Sequence, residues 1–375
     1  MKKIAIIGAS YLQEPLISKA KEMGIETHVF AWATNDIGEK IADYFYPISI
    51  VDKYDILEKC VEIGIDGICS IASDLATITV NYIAEKMNLV GNGMNSALMA
   101  TNKHLMRETF YENKDPSPLS IMVENKDEFD SSLKYPVIVK PIDRSGSRGI
   151  YKLYDESELE EAIEKSKAQG FIKKVLIEEF VEGDEYSVEC ISFEGRHKFL
   201  ALTKKYTTGA PHFIERGHLV PAEIEFELIE KIKEVIFHAL DSLKVKYGAS
   251  HSEIKIDDEG NIQIIEIGAR MGGDFIGSTL VELSTGIDFT KAVIDVALGK
   301  PPHLEKSCNN VAGVRFVFSD EDINVYKIIK ERNPEIIIKS DVPDKITGEV
   351  TDSSTRLGYY IMKAEKLEEI IQYMP

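Results

Sequence analysis

The sequence predicts an α/β domain built on a parallel sheet, followed by a larger α+β unit of two lobes. Strand-like and helix-like runs alternate over the first ninety or so residues, the pattern of right-handed βαβ units. Near Gly91 the texture changes, and short strands begin to flank a Gly/Ser loop. From Glu185 onward the patterns are long antiparallel strands around one substantial helix. A length of 375 residues also exceeds what one hydrophobic core usually organises. The expected divisions are residues 1–92 (βαβ domain), 93–182 (linker helix and small lobe) and 183–375 (large lobe).

Taken in order, Lys3–Ile7 is expected as a buried strand, because its apolar run is short and leads into Gly8. Glu14–Met23 has helical spacing and closes at Gly24, and Thr27–Ala31 is again a strand. Asp55–Ile63, Gly67–Ser70 and Ile78–Met87 continue the alternation as helix, strand and helix. Gly8 and Ser10 occupy the first βα turn, but the G-x-G-x-x-G fingerprint is missing and a tight turn accounts for the glycine. No Walker A sequence occurs. Asn102–Tyr111 is expected to be helical before Pro116 and Pro118 interrupt. Pro136–Lys140 and Gly149–Leu153 are short strands, Glu156–Gln169 is a helix ending at Gly170, and Lys174–Phe180 is a strand. Glu225–Leu243 is the substantial helix of the last division.

Composition narrows the function. A hydrophobic fraction of 44% and a charged fraction of 29% are those of an ordinary globular enzyme. A formal net charge of −19 argues against nucleic-acid and anionic-membrane partners, which need a positive face. Cys60, Cys69, Cys190 and Cys308 stand far apart, with neither a CxxC pair nor a disulfide-like spacing, which suits a reducing compartment. The run Ile4–Ile7 is too short for a signal-peptide core, and no apolar stretch approaches a membrane span. A cytoplasmic protein is expected.

Three segments carry chemistry. In VKPIDRSGSRGIY, the loop Asp143–Gly149 joins two strands, and its glycines allow successive N–H groups to converge on an anion. Lys140 ends the strand that enters it; an ordinary hairpin loop is the bland alternative. In VLIEEFVEGDEYS, the connector after Glu178 and Glu179 can offer backbone groups to an adenine edge, with Glu185 placed for ribose hydroxyls; an exposed acidic hairpin is the alternative. In HSEIKIDDEGNIQIIEIGARMGG, symmetry about the turn Asp258–Asn261 puts Glu253 opposite Glu266. Cross-strand Cβ atoms lie about 4.5–5.5 Å apart, so two carboxylates there repel unless a cation joins them. Mg²⁺ is the natural candidate, and Lys255 or Arg270 neutralising the pair is the alternative. In the symmetric register, Ile254, Ile256, Ile265 and Ile267 alternate onto the other, buried face.

Together these segments resemble the ATP-grasp superfamily of carboxylate–amine ligases over roughly Asn102 to Gly273. The resemblance implies a two-lobed ATP-grasp domain after the βαβ domain, and ATP with Mg²⁺ (or Mn²⁺) as cofactors. It implies that Lys103 and Lys140 hold phosphates and that Ser145, Gly146, Ser147 and Gly149 belong to a flexible phosphate lid. Glu178, Glu179 and Val181 would bracket adenine, Glu185 would bind ribose, and Glu253 and Glu266 would ligate the metal. Many members carry Asn two residues after the second metal-binding Glu, where this chain has Gly268. The segment TKKYTTGAPHFIERGHLVPA is similar to the F-x-E-x-x-H-x-x-P stretch of dipeptide-forming L-amino-acid ligases, matched by Phe213, Glu215, His218 and Pro221. By that resemblance Glu215 and His218, on a loop, line an amino-acid pocket, and Arg270 holds the carboxylate or acyl phosphate. His212, Glu215 and His218 are not expected to form a metal cluster.

The expected partners are a small-molecule carboxylate and an amine, with a homodimer left open. A formate- or bicarbonate-activating ligase of the purine-pathway type stays open as an alternative, as do an ATP-dependent kinase and a non-catalytic nucleotide-binding protein.

Overall fold

The structure, a computed structural model, describes every residue except 130, 131, 145, 147 and 211. The described residues form three sheets. The first contains β1 (Lys3–Ile7), β2 (Glu26–Phe30), β3 (Tyr44–Tyr46) and β4 (Gly67–Cys69), all parallel in the order β3-β2-β1-β4. Its central strand is apolar throughout Ile4–Ile7 and fully buried, as expected of a parallel strand covered on both faces. The sequence reading missed β3, because Tyr44–Tyr46 is only three residues long and carries no alternation. It also began the helix Asp74–Met87 four residues late: the Ser73 hydroxyl accepts the Ala76 N–H at 3.3 Å and starts the helix ahead of the apolar run.

The second sheet contains β5 (Ser120–Val123), β6 (Val137–Pro141), β7 (Tyr151–Leu153) and β8 (Val175–Glu179), antiparallel in the order β5-β8-β6-β7. The helix Leu159–Gln169 buries Leu159, Ala162 and Ile163 in the same cluster as Val137, Val139 and Ile177.

The third sheet contains β9 (Asp184–Phe193), β10 (Arg196–Thr207), β11 (Glu215–Val220), β12 (Gly248–Ile256), β13 (Ile262–Gly268), β14 (Val311–Phe316), β15 (Ile337–Asp341) and β16 (Tyr359–Ala364). All its pairings are antiparallel, in the order β13-β12-β9-β10-β11-β14-β16-β15. The amphipathic helix Phe226–Ser242 buries Ile232, Ile236 and Leu240 in one cluster with Val188, Ile254 and Ile264 of β9, β12 and β13. It is not the only helix here, which corrects the sequence reading. Val281–Thr285, Phe289–Ala297 and Asp320–Arg332 are also helical. Phe289–Ala297 is short and almost wholly buried, and its polar residues Lys291 and Asp295, four apart, pair with each other at 2.5 Å. One apolar cluster runs from the first sheet through this helix into the third sheet, so the parallel domain and the large lobe share a core. Among the described residues no helix is long and apolar enough to cross a membrane.

Candidate active site

Glu253 and Glu266 are direct cross-strand partners in β12 and β13. Below them the symmetric register fails, because Ile254 faces Ile264 and Ile256 faces Ile262. Ile265 is the extra residue of a bulge. It therefore leaves the buried set expected for it, and Ile262 and Ile264 supply the core contacts instead. The bulge also turns the Ile265 carbonyl to accept from Arg107 Nη2 at 2.6 Å.

Strand alternation puts Glu185, Ser187 and Glu189 of β9, Lys205 of β10, and His251, Glu253 and Lys255 of β12 on one face with Glu266 and Gly268. Lys205 Nζ lies 2.5 Å from Glu253 and 3.8 Å from Glu215. Lys103 Nζ donates to Glu266 at 2.7 Å and to the Arg144 carbonyl at 2.9 Å. The carboxylates are thus balanced by Lys205 and Lys103, not by Lys255 or Arg270. Lys255 sits one alternation further on, opposite Glu185, and donates to the Val181 carbonyl at 3.0 Å. Arg270 is held by Asp74 of the first domain, Nε to Oδ1 at 2.8 Å and Nη2 to Oδ2 at 3.1 Å.

These contacts set the charges. Burial alone would lower the Lys205 ammonium, but Glu253 and Glu215 outweigh it and hold it well above its ordinary value. Burial would raise Glu253, but Lys205 and His251 hold it well below the usual carboxylate range. His251 would likewise be lowered by burial; Glu189, 2.6 Å from Nδ1, lifts it to about 9.

Lys140 is buried against Glu178, whose other oxygen accepts from Arg107 Nε at 3.1 Å. Burial pulls the Lys140 ammonium below its ordinary value despite Glu178. Burial works to raise Glu178, and the Arg107 and Lys140 charges overcome it. Glu178 is therefore the fixed counterion of Lys140 as well as part of the cleft wall.

Two adjoining clefts lie between the small lobe and the charged face. The first encloses about 730 Å³ and has an apolar wall of Ile138, Ile150, Val181, Ile254 and Ile265, with Glu179 and Glu185 at its polar side. Phe180 closes it, with Lys255 Nζ 4.6 Å from its ring centroid. The second encloses about 610 Å³ and gathers Lys103, Lys140, Arg144, Arg148 and Arg270 around Glu253 and Glu266. Gly146 lines it with φ +74°, and Gly149 has φ +71°, values that favour glycine. Ser145 and Ser147 lie outside the described residues.

Glu215 and His218 stand on β11 and not on a loop, because β10 and β14 pair with that segment on both sides. The Gly- and Thr-rich residues before it obscured the strand. Arg216 is the extra residue of a bulge opposite Tyr206 and Thr207. Glu215 reaches both clefts, and its Oε2 accepts from Ser353 Oγ at 2.7 Å. His218 does not line them: it is 1% exposed, edge-on to Phe316, with Nε2 3.6 Å from Asp274. The reason is cover. Arg356 pairs with Asp274 at 2.5 and 2.8 Å and lies over Phe316, its guanidinium carbon 3.6 Å from the ring centroid, and so belongs to the layer of residues packed around the imidazole.

The donor set fits magnesium-bound ATP. The apolar slot suits a purine, the cationic cleft suits a phosphate chain, and Glu253 and Glu266 supply hard oxygen ligands. Among the described residues no three His, Cys, Asp or Glu side chains are grouped to hold a metal unaided, so phosphate oxygens or water must complete the shell.

Residues 133–278 match the family model described as ATP-grasp domain, and the chain carries such a domain. Alanine–anticapsin ligase of Bacillus subtilis is 27% identical over 309 residues, covering 72% of this chain and 65% of its own length. An uncharacterised protein of Sinorhizobium fredii is 26% identical over 281 residues, covering 73% of this chain and 57% of its own. The chain thus spans less than two thirds of the length of these two relatives. The crystal structure of L-amino acid ligase from Bacillus licheniformis has the same fold, with a TM-score of 0.83 at 22% identity over 100% of this chain and 96% of that one.

Proposed function

We propose that the protein is an ATP-dependent ligase that activates a carboxylate, of an amino acid, and joins it to an amine, releasing ADP and phosphate. One observation carries this reading: the facing carboxylates Glu253 and Glu266 adjoin Lys103, Lys140 and Arg270 in a single cleft, next to a slot with an apolar wall. The amino-acid assignment draws on the relative that is an alanine–anticapsin ligase and on Glu215 at the cleft.

In this reading Ile138, Ile150 and Val181 hold the adenine and Glu185 the ribose. Lys103, Lys140 and Arg270 hold the phosphate chain and offset charge on the group being transferred. Mg²⁺, bound by Glu253 and Glu266, supplies charge neutralisation and a template for the phosphate oxygens. Arg270, a planar fork, suits a carboxylate or phosphoryl oxygen through parallel hydrogen bonds. Glu215, 3.8 Å from Lys205 and bonded to Ser353, is placed to receive a substrate ammonium.

The test is ADP release with MgATP across the twenty L-amino acids, singly and in pairs, followed by hydroxylamine trapping. A ligase gives an amino-acid hydroxamate. A stable phosphoester in its place identifies a kinase, and neither product with tight ATP binding identifies a sensor. Formate- or bicarbonate-dependent ADP release without amino-acid dependence would move the chain to the other ligase class.

A further inference from the structure

Asp74 approaches the cationic cleft from the first domain through Arg270, which lines that cleft. It is the opening residue of the helix Asp74–Met87, just beyond β4, and its carboxylate meets Arg270 across 196 residues of sequence. Both oxygens are used, one on Nε at 2.8 Å and one on Nη2 at 3.1 Å, which fixes the plane of the guanidinium. The two loops are stitched together beside this pair, where the Ala72 N–H donates to the Met271 carbonyl at 3.1 Å. Ala72 takes φ +54° there, a conformation that an alanine rarely adopts without tertiary reason. Both side chains keep some exposure, 16% for Arg270 and 18% for Asp74, and Arg270 lines the cleft.

Gly268 completes the arrangement. A Cβ at that position would stand 3.1 Å from the Arg270 guanidinium carbon and 3.2 Å from Asp74 Oδ1. A side chain there would press on both partners, which would have to give by a few tenths of an ångström. The glycine that departs from the pattern of similar ligases is therefore the position that admits an ion pair bridging the first domain to the cleft.

We propose that Asp74 is a positioning residue: it sets the orientation of Arg270 toward the transferred phosphoryl group, and Gly268 is glycine to make room for it. This rests on the reading that Arg270 faces that group. A purely electrostatic role for Asp74 makes the opposite forecast. Removing its negative charge makes the cleft more cationic, and Coulomb attraction alone would then tighten anion binding.

The experiment titrates inorganic phosphate calorimetrically into the full-length protein saturated with MgADP. Asp74→Asn is expected to weaken phosphate about tenfold or more, because a misplaced fork loses one of its paired bonds, with MgADP affinity changed by less than about twofold. Gly268→Asn should give the same loss, and the double variant should be no worse than either single variant, since both act on one contact. Phosphate binding that is unchanged or tighter in Asp74→Asn overturns the proposal, as do losses that multiply in the double variant. A matching loss of MgADP affinity overturns it too, since it signals general disruption. Arg270→Lys separates the layers. If it binds phosphate as the wild type does, or if the wild type takes none, the reading of Arg270 itself fails. If Arg270→Lys weakens phosphate and Asp74→Asn does not, only the positioning role fails.

Discussion

Glu253 and Glu266 face each other across one hairpin, yet each carboxylate is held by a lysine from a different part of the chain, Lys205 at 2.5 Å and Lys103 at 2.7 Å. Lys205 shares the sheet with the pair, whereas Lys103 opens a helix that precedes the small lobe. A divalent ion between the carboxylates must compete with both ammonium groups, and phosphate oxygens arriving with the ion give the lysines a new anion to hold. Metal and nucleotide are therefore expected to bind together and each weakly alone.

Glu266→Gln keeps an acceptor for Lys103 and removes the charge. Turnover should fall about a hundredfold or more, while stability changes by no more than about 1–2 kcal/mol. ADP-release assays over a magnesium titration, with a thermal melt on the same sample, check both. Full activity at ordinary magnesium would remove the metal role.

Lys140→Met leaves Glu178 paired with Arg107 alone, so the fold should survive. ATP affinity should drop about tenfold, near 1.4 kcal/mol, if the ammonium touches phosphate. Calorimetric ATP titration reads this directly, and an unchanged Kd would assign Lys140 to structure only.

Glu215 and His218 should separate kinetically. Glu215→Ala is expected to raise the amino-acid KM about tenfold with ATP affinity intact. His218→Phe should leave KM nearly unchanged, since the imidazole lies outside the clefts and neither ring nitrogen has a hydrogen-bond partner among the described residues. Stability of that variant should be close to wild type, because Asp274 keeps both Arg356 bonds when the 3.6 Å contact to Nε2 is lost. A changed amino-acid profile in His218→Phe would show that the imidazole reaches substrate.

Asp322 provides a pH signature away from the site. Burial alone would raise its carboxyl, but the Phe318 N–H at 2.9 Å and Arg315 at 2.7 and 2.9 Å hold it below the usual range. A carboxyl depressed in the folded state contributes stability fully above its unfolded pKa of about 3.9, and loses it as pH falls through the folded value. Urea unfolding should thus show no contribution to slope from Asp322 between pH 7 and 5, and a steep loss below about 4. Asp322→Asn should cost about 1–3 kcal/mol at pH 7 and flatten that acid limb. An equally steep limb in the variant would refute the assignment.

Local pattern accounts for what was readable beforehand. Symmetry about Asp258–Asn261 puts Glu253 opposite Glu266, and the structure has that pair, but by another route: the strands leave the turn as Ile256 opposite Ile262, one residue off, and the bulge at Ile265 restores the count. That bulge has no local signal in the sequence; its carbonyl meets Arg107, 158 residues earlier in the chain. Glu215–Val220 looked like a loop because only its pairing with β10 and β14, distant in sequence, makes it a strand. Lys205, His251 and Asp74 were invisible for the same reason: each becomes part of the site through a contact across 48 residues or more, or across neighbouring strands, and no spacing rule joins them.

The bonds from Ser353 to Glu215 and from Arg356 to Asp274 also impose an order of assembly during synthesis. Their partners are translated 138 and 82 residues earlier. The residues that line both clefts, up to Arg270, are therefore all translated before the residues that cover Asp274 and brace Glu215. Through that interval Glu215 has its strand partner Thr207 but not the Ser353 hydroxyl. The proposed nucleotide side of the site is thus encoded ahead of the segment that braces Glu215, and residues 353–356 close onto segments made much earlier.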